Sequence, residues 1–176
     1  MIISVEKAKE FVNLEGWTDA KIEMKLKAIE QTIRAYTNNN FQDRGRRVQA
    51  SIQNGVLVSL TPMPFAVDDT IQVSESLFNN GLYTLISVTE DTAITGGELK
   101  DESDILVTKV VYPADVVECA LNLLEWEKEH RAKVGIQSET LSRHSVSYFN
   151  MDGANQIMGY PSSLLGCLKP YRKLRF

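Results

Sequence analysis

Long apolar runs are missing from this chain. No stretch approaches the roughly 20 residues that a helical membrane span needs, so no helical span and no membrane partner are expected. The first residues, Met1 to Lys7, include Ile2, Ile3 and Val5 but lack the apolar core of a secretory signal peptide. Cysteine is scarce. Cys119 and Cys167 are the only two, far apart in sequence and both in segments expected to be helical. Buried, reduced thiols are the simpler reading than a disulfide. These absences suit a protein made in a reducing cytoplasm, and a later life inside a particle stays open. A basic surplus is missing too. The formal net charge is −4, which removes any global signature of nucleic-acid binding.

Signatures of catalysis are equally scarce. There is no G-x-x-x-x-G-K-[ST] and no G-x-G-x-x-G, so no known loop cradles a phosphate. His130 and His144 are the only histidines. Glu127 and His130 supply two ligands at most, and Cys119 and Cys167 are not spaced as paired zinc ligands. A solvated helix end explains Glu127 and His130 better than a metal does. Ser142, His144 and Glu139 would make a hydrolase triad only by a geometry that sequence proximity does not supply, and no nucleophile elbow is present. The acid pairs Asp68-Asp69 and Asp101-Glu102 flank turn signals and read as solvated loop residues. The expectation is a protein without catalytic residues, cofactor or metal.

What the chain does contain is helical pattern at both ends and strand pattern between. Helices are expected near residues 4–14, 18–36, 113–134 and 161–168. In the second, Ile22, Leu26, Ile29, Ile33 and Tyr36 form one stripe, with Thr18 or Asp19 as its cap. The third has Pro113 suited to its first position and Gly135 as a stop. At about 100° per residue, Val116, Val117, Cys119, Ala120, Leu121, Leu123 and Leu124 make one wide apolar arc with Trp126 at its edge. Asp115, Glu118, Asn122, Glu125 and Glu129 fill the narrow strip left over. So apolar a helix needs cover on more than one side, which points to a neighbouring subunit as well as the chain's own core. Beyond Trp126 the arc turns charged. Glu127, Lys128 and Arg131 read as a solvated extension with Glu127–Arg131 and Glu129–Lys133 pairs.

Residues 48–110 switch to strand period. Val48 to Ile52 and Val56 to Leu60 flank Asn54-Gly55, a strong hairpin signal. Further strands are expected at 70–73, 82–88 and 105–110, with turns at Asn79-Asn80-Gly81 and Thr95-Gly96-Gly97. The fold class is therefore α+β: one domain with a core of about four helices and an inserted antiparallel β module. A small sheet, a barrel and a pair of projecting hairpins all satisfy this pattern. After Gly135, a short helical turn and then a strand over 144–149 are expected. A loop follows over 150–159.

Two basic clusters are candidate contacts for phosphate. One is Arg44, Arg46 and Arg47 at the start of the β module. The other is the tail, Lys169, Arg172, Lys173 and Arg175. Surface loop and frayed terminus are the plainer readings of each.

Three stretches carry a family resemblance. The first is Ile29-Glu-Gln-Thr-Ile-Arg-Ala-Tyr-Thr-Asn-Asn-Asn-Phe41. The second is Tyr112-Pro-Ala-Asp-Val-Val-Glu-Cys-Ala-Leu-Asn-Leu-Leu-Glu-Trp126, continued by 134–148. The third is Gly159-Tyr-Pro-Ser-Ser-Leu-Leu-Gly-Cys-Leu-Lys-Pro-Tyr171. Together they cover a little over half the chain. The chain resembles the head–tail connector proteins of tailed bacteriophages, also called head-completion or adaptor proteins, and its β module departs from their smallest, nearly all-helical members. The resemblance implies a structural virion protein, not an enzyme, made in the host cytoplasm and placed at the head–tail interface. Such proteins form a ring, often of twelve subunits and sometimes only on assembly. The ring lies beneath the portal protein, extends the DNA channel without reading sequence, and offers a surface to a stopper or tail-completion protein. On that reading Val116, Val117, Ala120, Leu121, Leu123, Leu124 and Trp126 pack within and between subunits. Asp115, Glu118, Asn122, Glu125 and Glu129 face the channel, where like charge keeps phosphates sliding. Lys169, Arg172, Lys173 and Arg175 contact the portal or another partner. The alternative is a nucleic-acid-binding phage accessory protein that uses Arg44, Arg46, Arg47 and the tail.

Overall fold

A computed structural model describes residues 1–131, 138–141, 144–147 and 155–174. The fold is α+β, and the chain forms two compact units. One comprises Met1 and residues 40–112; the other comprises residues 2–39 and 113–176.

The first unit is a closed antiparallel barrel of six strands: β1 (Gln42–Gln53), β2 (Val56–Ser59), β3 (Thr70–Ser74), β4 (Gly81–Val88), β5 (Thr92–Thr95) and β6 (Glu102–Val110). Its order around the wall is β1-β2-β5-β4-β3-β6, closing as β6 pairs with β1. Closure leaves no unpaired strand edge. Alternate residues point inward: Val48, Ala50 and Ile52 from β1, Ile71 and Val73 from β3, Ile105 and Val107 from β6. Leu57, Leu85 and Ala93 fill the other side. Asn54 (φ 52°) and Gly55 (φ 76°) make the β1–β2 turn in the left-handed backbone region, as a two-residue hairpin of the right twist requires. The module is larger than residues 48–110. β1 starts six residues earlier, and Thr92–Thr95, expected only as the approach to a turn, is the strand that links β2 to β4.

The second unit holds α1 (Val5–Phe11), α2 (Asp19–Thr37) and α3 (Ala114–Glu129). The Ser4 and Thr18 side chains accept from the third backbone N–H beyond them, the N-cap arrangement. α2 ends on Asn38, whose left-handed φ of 49° closes the last turn. Ile22, Leu26, Ile29 and Ile33 are fully buried along α2. Thr37, not the half-exposed Tyr36, completes the stripe, because Thr37 meets its polar need by bonding its hydroxyl to the Ile33 carbonyl at 2.7 Å. Pro113 is the cap rather than the first helical residue. Its ψ of 152° is extended, and its carbonyl accepts from Val116 and Val117.

The expected helix at 161–168 is corrected. Pro161 lies in β10 (Tyr160–Pro161), paired with β9 (Gln156–Ile157), and only a 3-10 helix forms, at Gly166–Tyr171. Pro170 has no N–H and opposes an α-helix here. Leu165 and Leu168, three residues apart, both reach zero exposure, the repeat that a 3-10 turn aligns. The expected helical turn after Gly135 is also replaced. β7 (Ser138–Leu141) and β8 (His144–Ser147) pair as a hairpin. The third helix, expected to reach 134, is corrected too: α3 stops at Glu129 with His130 as its cap. Lys133 and Gly135 lie outside the described residues, as do Ser142, Tyr148 and Arg175.

Candidate functional site

α3 divides along its length into three bands. The first is buried: Val116, Cys119, Ala120, Leu123 and Leu124 are 0–1% exposed. Their i, i+3, i+4, i+7, i+8 spacing is one helical face, and it packs on α2 and the 3-10 helix. Four of the seven residues proposed for subunit packing (Val116, Ala120, Leu123 and Leu124) therefore belong to the chain's own core. The second band is a half-buried shoulder made by Val117, Leu121 and Lys128. The third is exposed, and it contains Asp115, Glu118, Asn122, Glu125 and Glu129 together. From first to last these five span about 21 Å of helix at ~1.5 Å per residue.

Trp126 sits at the other edge of the core and is already partly covered. Tyr160 meets it edge-on at 5.3 Å, the His130 ring stacks at 6.5 Å, and the Arg131 guanidinium lies 5.5 Å from its centroid. At the start of the helix, Asp115 is exposed but engaged. Both of its carboxylate oxygens lie 2.8 Å from the Tyr171 hydroxyl, which donates to it. Keeping that proton between them raises the Tyr171 phenol above its usual range.

Glu127 overturns the expectation of a solvated helix end. Its side chain is 2% exposed. It occupies the position eleven residues after Val116, which continues the buried face. Lys25 of α2 lies 2.7 Å from the carboxylate and Arg131 lies 3.5 Å from it. The Tyr160 phenol is also close enough to feel it: burial first, then the Glu127 charge, push that phenol well above the usual tyrosine range. Arg131 in turn donates to the Gly159 carbonyl at 2.9 Å. The predicted Glu127–Arg131 pair thus joins an exposed guanidinium to a buried carboxylate, and is not a pair on a wholly wet surface. Lys128 likewise donates to the Glu15 carbonyl and lies over the Trp17 ring.

The basic tail is anchored over its described length. The Lys173 N–H donates to the Thr37 carbonyl at 2.7 Å, Asn38 donates to the Leu174 carbonyl, and Asn39 to that of Tyr171. These bonds satisfy groups around the carbonyl end of α2, where positive charge is favourable. Arg172 lies 5.1 Å over the Tyr36 ring. Lys169, Arg172 and Lys173 are all exposed.

In the barrel unit, Arg44, Gly45 and Arg46 form a bulge. Asp43 pairs with Lys109 and Arg47 with Thr108, so three residues of β1 have no opposite number. Bulged residues leave the ladder and bend the strand outward. Arg46 lies 3.8 Å from Asp43, and Arg47 donates to the Thr108 hydroxyl at 3.0 Å. Three of the four acids read as solvated loop residues are structural, and Asp68 is exposed. Asp69 pairs with Lys109 at 2.6 Å, and Asp101 accepts from the Gly55 N–H. Glu102 accepts from the Ser76 hydroxyl, the Leu77 N–H and the Asn79 amide at 2.5, 2.6 and 2.9 Å. These bonds hold a loop that leaves Leu77 85% and Phe78 65% exposed. Sequence periodicity carries no signal for such a loop, because the anchoring carboxylate lies 25 residues further along the chain.

Among the described residues, no group of three His, Cys, Asp or Glu side chains is placed to hold a metal, and no helix is long and apolar enough to cross a membrane. His130 stands 3.9 Å from Glu129 rather than beside Glu127. Compared with protein-family models and with curated proteins, the sequence matches none. Among the described residues the structure presents four surface features: an acidic strip beside an apolar shoulder on α3, an anchored basic tail, a basic bulge and an apolar loop.

Proposed function

We propose that this protein is a ring-forming structural component of a tailed-phage particle, a connector that joins the capsid portal to a stopper or tail protein and extends the DNA channel. The observation that carries the reading is the banding of α3: five exposed polar positions, four of them acidic, run side by side with the half-buried Val117 and Leu121. Repeated around a ring, the acidic strip gives a wall that repels phosphate and lets DNA pass. The shoulder next to it supplies apolar area for the neighbouring subunit without drawing on the monomer's core. Lys169, Arg172 and Lys173, held at the end of α2, face the portal or the next protein in the stack. The helical unit, with its 3-10 segment counted as a fourth element, is the connector frame, and the barrel is its insertion. The protein acts at the head–tail interface of the virion and has no enzymatic step.

The test is native mass spectrometry and electron microscopy of the purified protein, alone and mixed with its portal. A closed ring in either setting is expected. A protein that stays monomeric and unbound in both would overturn the reading. The basic bulge favours one alternative, a nucleic-acid-binding accessory protein using Arg44, Arg46, Arg47 and the tail. DNA binding by the monomer that weakens steeply with salt, and is lost on Arg44→Ala/Arg46→Ala, would select it.

A further inference from the structure

Cys119 and Cys167 are both free thiols, one buried and one exposed, although each was expected to be buried. They converge. Cys119 Sγ donates to the Leu164 carbonyl at 3.2 Å, and Cys167 Sγ lies 3.6 Å from that same oxygen. One sulfur is on α3 and the other is in the 3-10 helix packed against it. We propose that this pair is a redox site: a low-molecular-weight disulfide such as oxidised glutathione converts it to a Cys119–Cys167 disulfide that staples the terminal 3-10 helix to α3.

The exposure of the two sulfurs sets the order of events. Thiol–disulfide exchange needs an accessible thiolate and a second thiol close behind it. Exposed Cys167 loses its proton to water and attacks one sulfur of the oxidant, which breaks the S–S bond and releases one glutathione thiolate. Cys119 then attacks the Cys167 sulfur of the mixed disulfide, gives up its proton to solvent base and releases the second glutathione. Two protein thiols are oxidised and one glutathione disulfide is reduced to two thiols. Burial first, and then the neighbouring Cys167 and Asp115, raise the Cys119 thiol above its ordinary range. The second step is therefore the slower one, and it quickens as pH rises. The protein is reduced in a cytoplasm and becomes stapled once it reaches an oxidising medium.

The experiment treats the folded full chain with excess oxidised glutathione, quenches in acid, and digests it without reductant for mass spectrometry. A cross-linked peptide pair joining Cys119 to Cys167 is expected, formed through a transient glutathione adduct on Cys167 and faster at pH 9 than at pH 7. In Cys119→Ala the adduct should accumulate, and in Cys167→Ser Cys119 should stay unmodified. Because wild-type protein supplies the main readout, the result does not depend on either variant folding. A wild-type reaction that stops at the Cys167 adduct, yields only disulfide-linked dimers, or leaves both thiols intact would overturn the proposal.

Discussion

Glu127 and Lys25, separated by 102 residues, meet at 2.7 Å with the carboxylate almost wholly buried. A buried ion pair is weak evidence of net stabilisation, but removing one partner is costly, because the other is left without solvent. Arg131, at 3.5 Å, partly compensates. Lys25→Met should therefore destabilise the protein by about 2 kcal/mol, read from the urea midpoint. Lys25→Met combined with Glu127→Leu should recover much of that loss. A double variant less stable than the single would mean that Glu127 is held chiefly by Arg131 and Tyr160.

The bands of α3 predict opposite phenotypes for neighbouring leucines. Leu124 is fully buried, and Leu124→Ala should cost about 3 kcal/mol in any assembly state. Leu121 is on the half-buried shoulder. Leu121→Glu should cost about 1 kcal/mol or less yet, on the proposed function, abolish ring formation on the portal. Thermal melts and electron microscopy of the two variants separate core from interface.

Charge reversal on the acidic strip should leave the fold intact. Glu118→Lys/Glu125→Lys changes exposed positions, where substitutions usually stay within about 0.5 kcal/mol. On the proposed function, assembled particles carrying it should retain DNA in a salt-sensitive way and eject it more slowly, because added lysines hold phosphates. Ejection triggered in vitro and followed by dye release measures this.

Acid should loosen the barrel loop that presents Leu77 and Phe78. The Ser76 hydroxyl first, and then the Leu77 N–H, hold Glu102 below its ordinary 4.5. A carboxyl whose folded pKa is depressed contributes its full stabilisation above the unfolded value and loses it as pH falls through the folded value. The Leu77 amide should be protected at neutral pH, and its protection factor, the intrinsic exchange rate over the observed one at each pH, should fall as pH drops through the lowered Glu102 value. Glu102→Gln should show a low protection factor throughout. Amide exchange followed by NMR decides it.

At the β1–β2 turn, Gly55 has a φ of 76°. The nearest atom to an added Cβ is the Leu99 carbonyl oxygen, at an ordinary 3.7 Å. Backbone strain alone should therefore set the cost of Gly55→Ala, about 1 kcal/mol. Asn54→Gly should be close to neutral. Urea unfolding of both variants checks the difference.

Much of the architecture was legible because it follows from local periodicity. Asn54-Gly55 between alternating residues marks a hairpin in any context, and Ile22, Leu26, Ile29 and Ile33 must face one way on any helix. Thr92–Thr95 escaped notice because four residues carry too little alternation to stand out beside the Gly96-Gly97 turn. The helix expected over 161–168 yielded to the pairing of Tyr160 and Pro161 with β9, and the solvated reading of Glu127 yielded to partners brought from α2 and β10.

What the sequence by itself determined was the α+β class, the place of the β module between two helical stretches, and the acidic strip of α3, since each depends only on residue type and spacing. Only the tertiary structure decided that the β module closes into a barrel, because closure depends on β6 reaching back to β1 across a register that no local pattern encodes. It also decided which part of α3's apolar arc is core and which is shoulder. That division is made by what α2 and the 3-10 helix cover, and a helical wheel has no knowledge of neighbours.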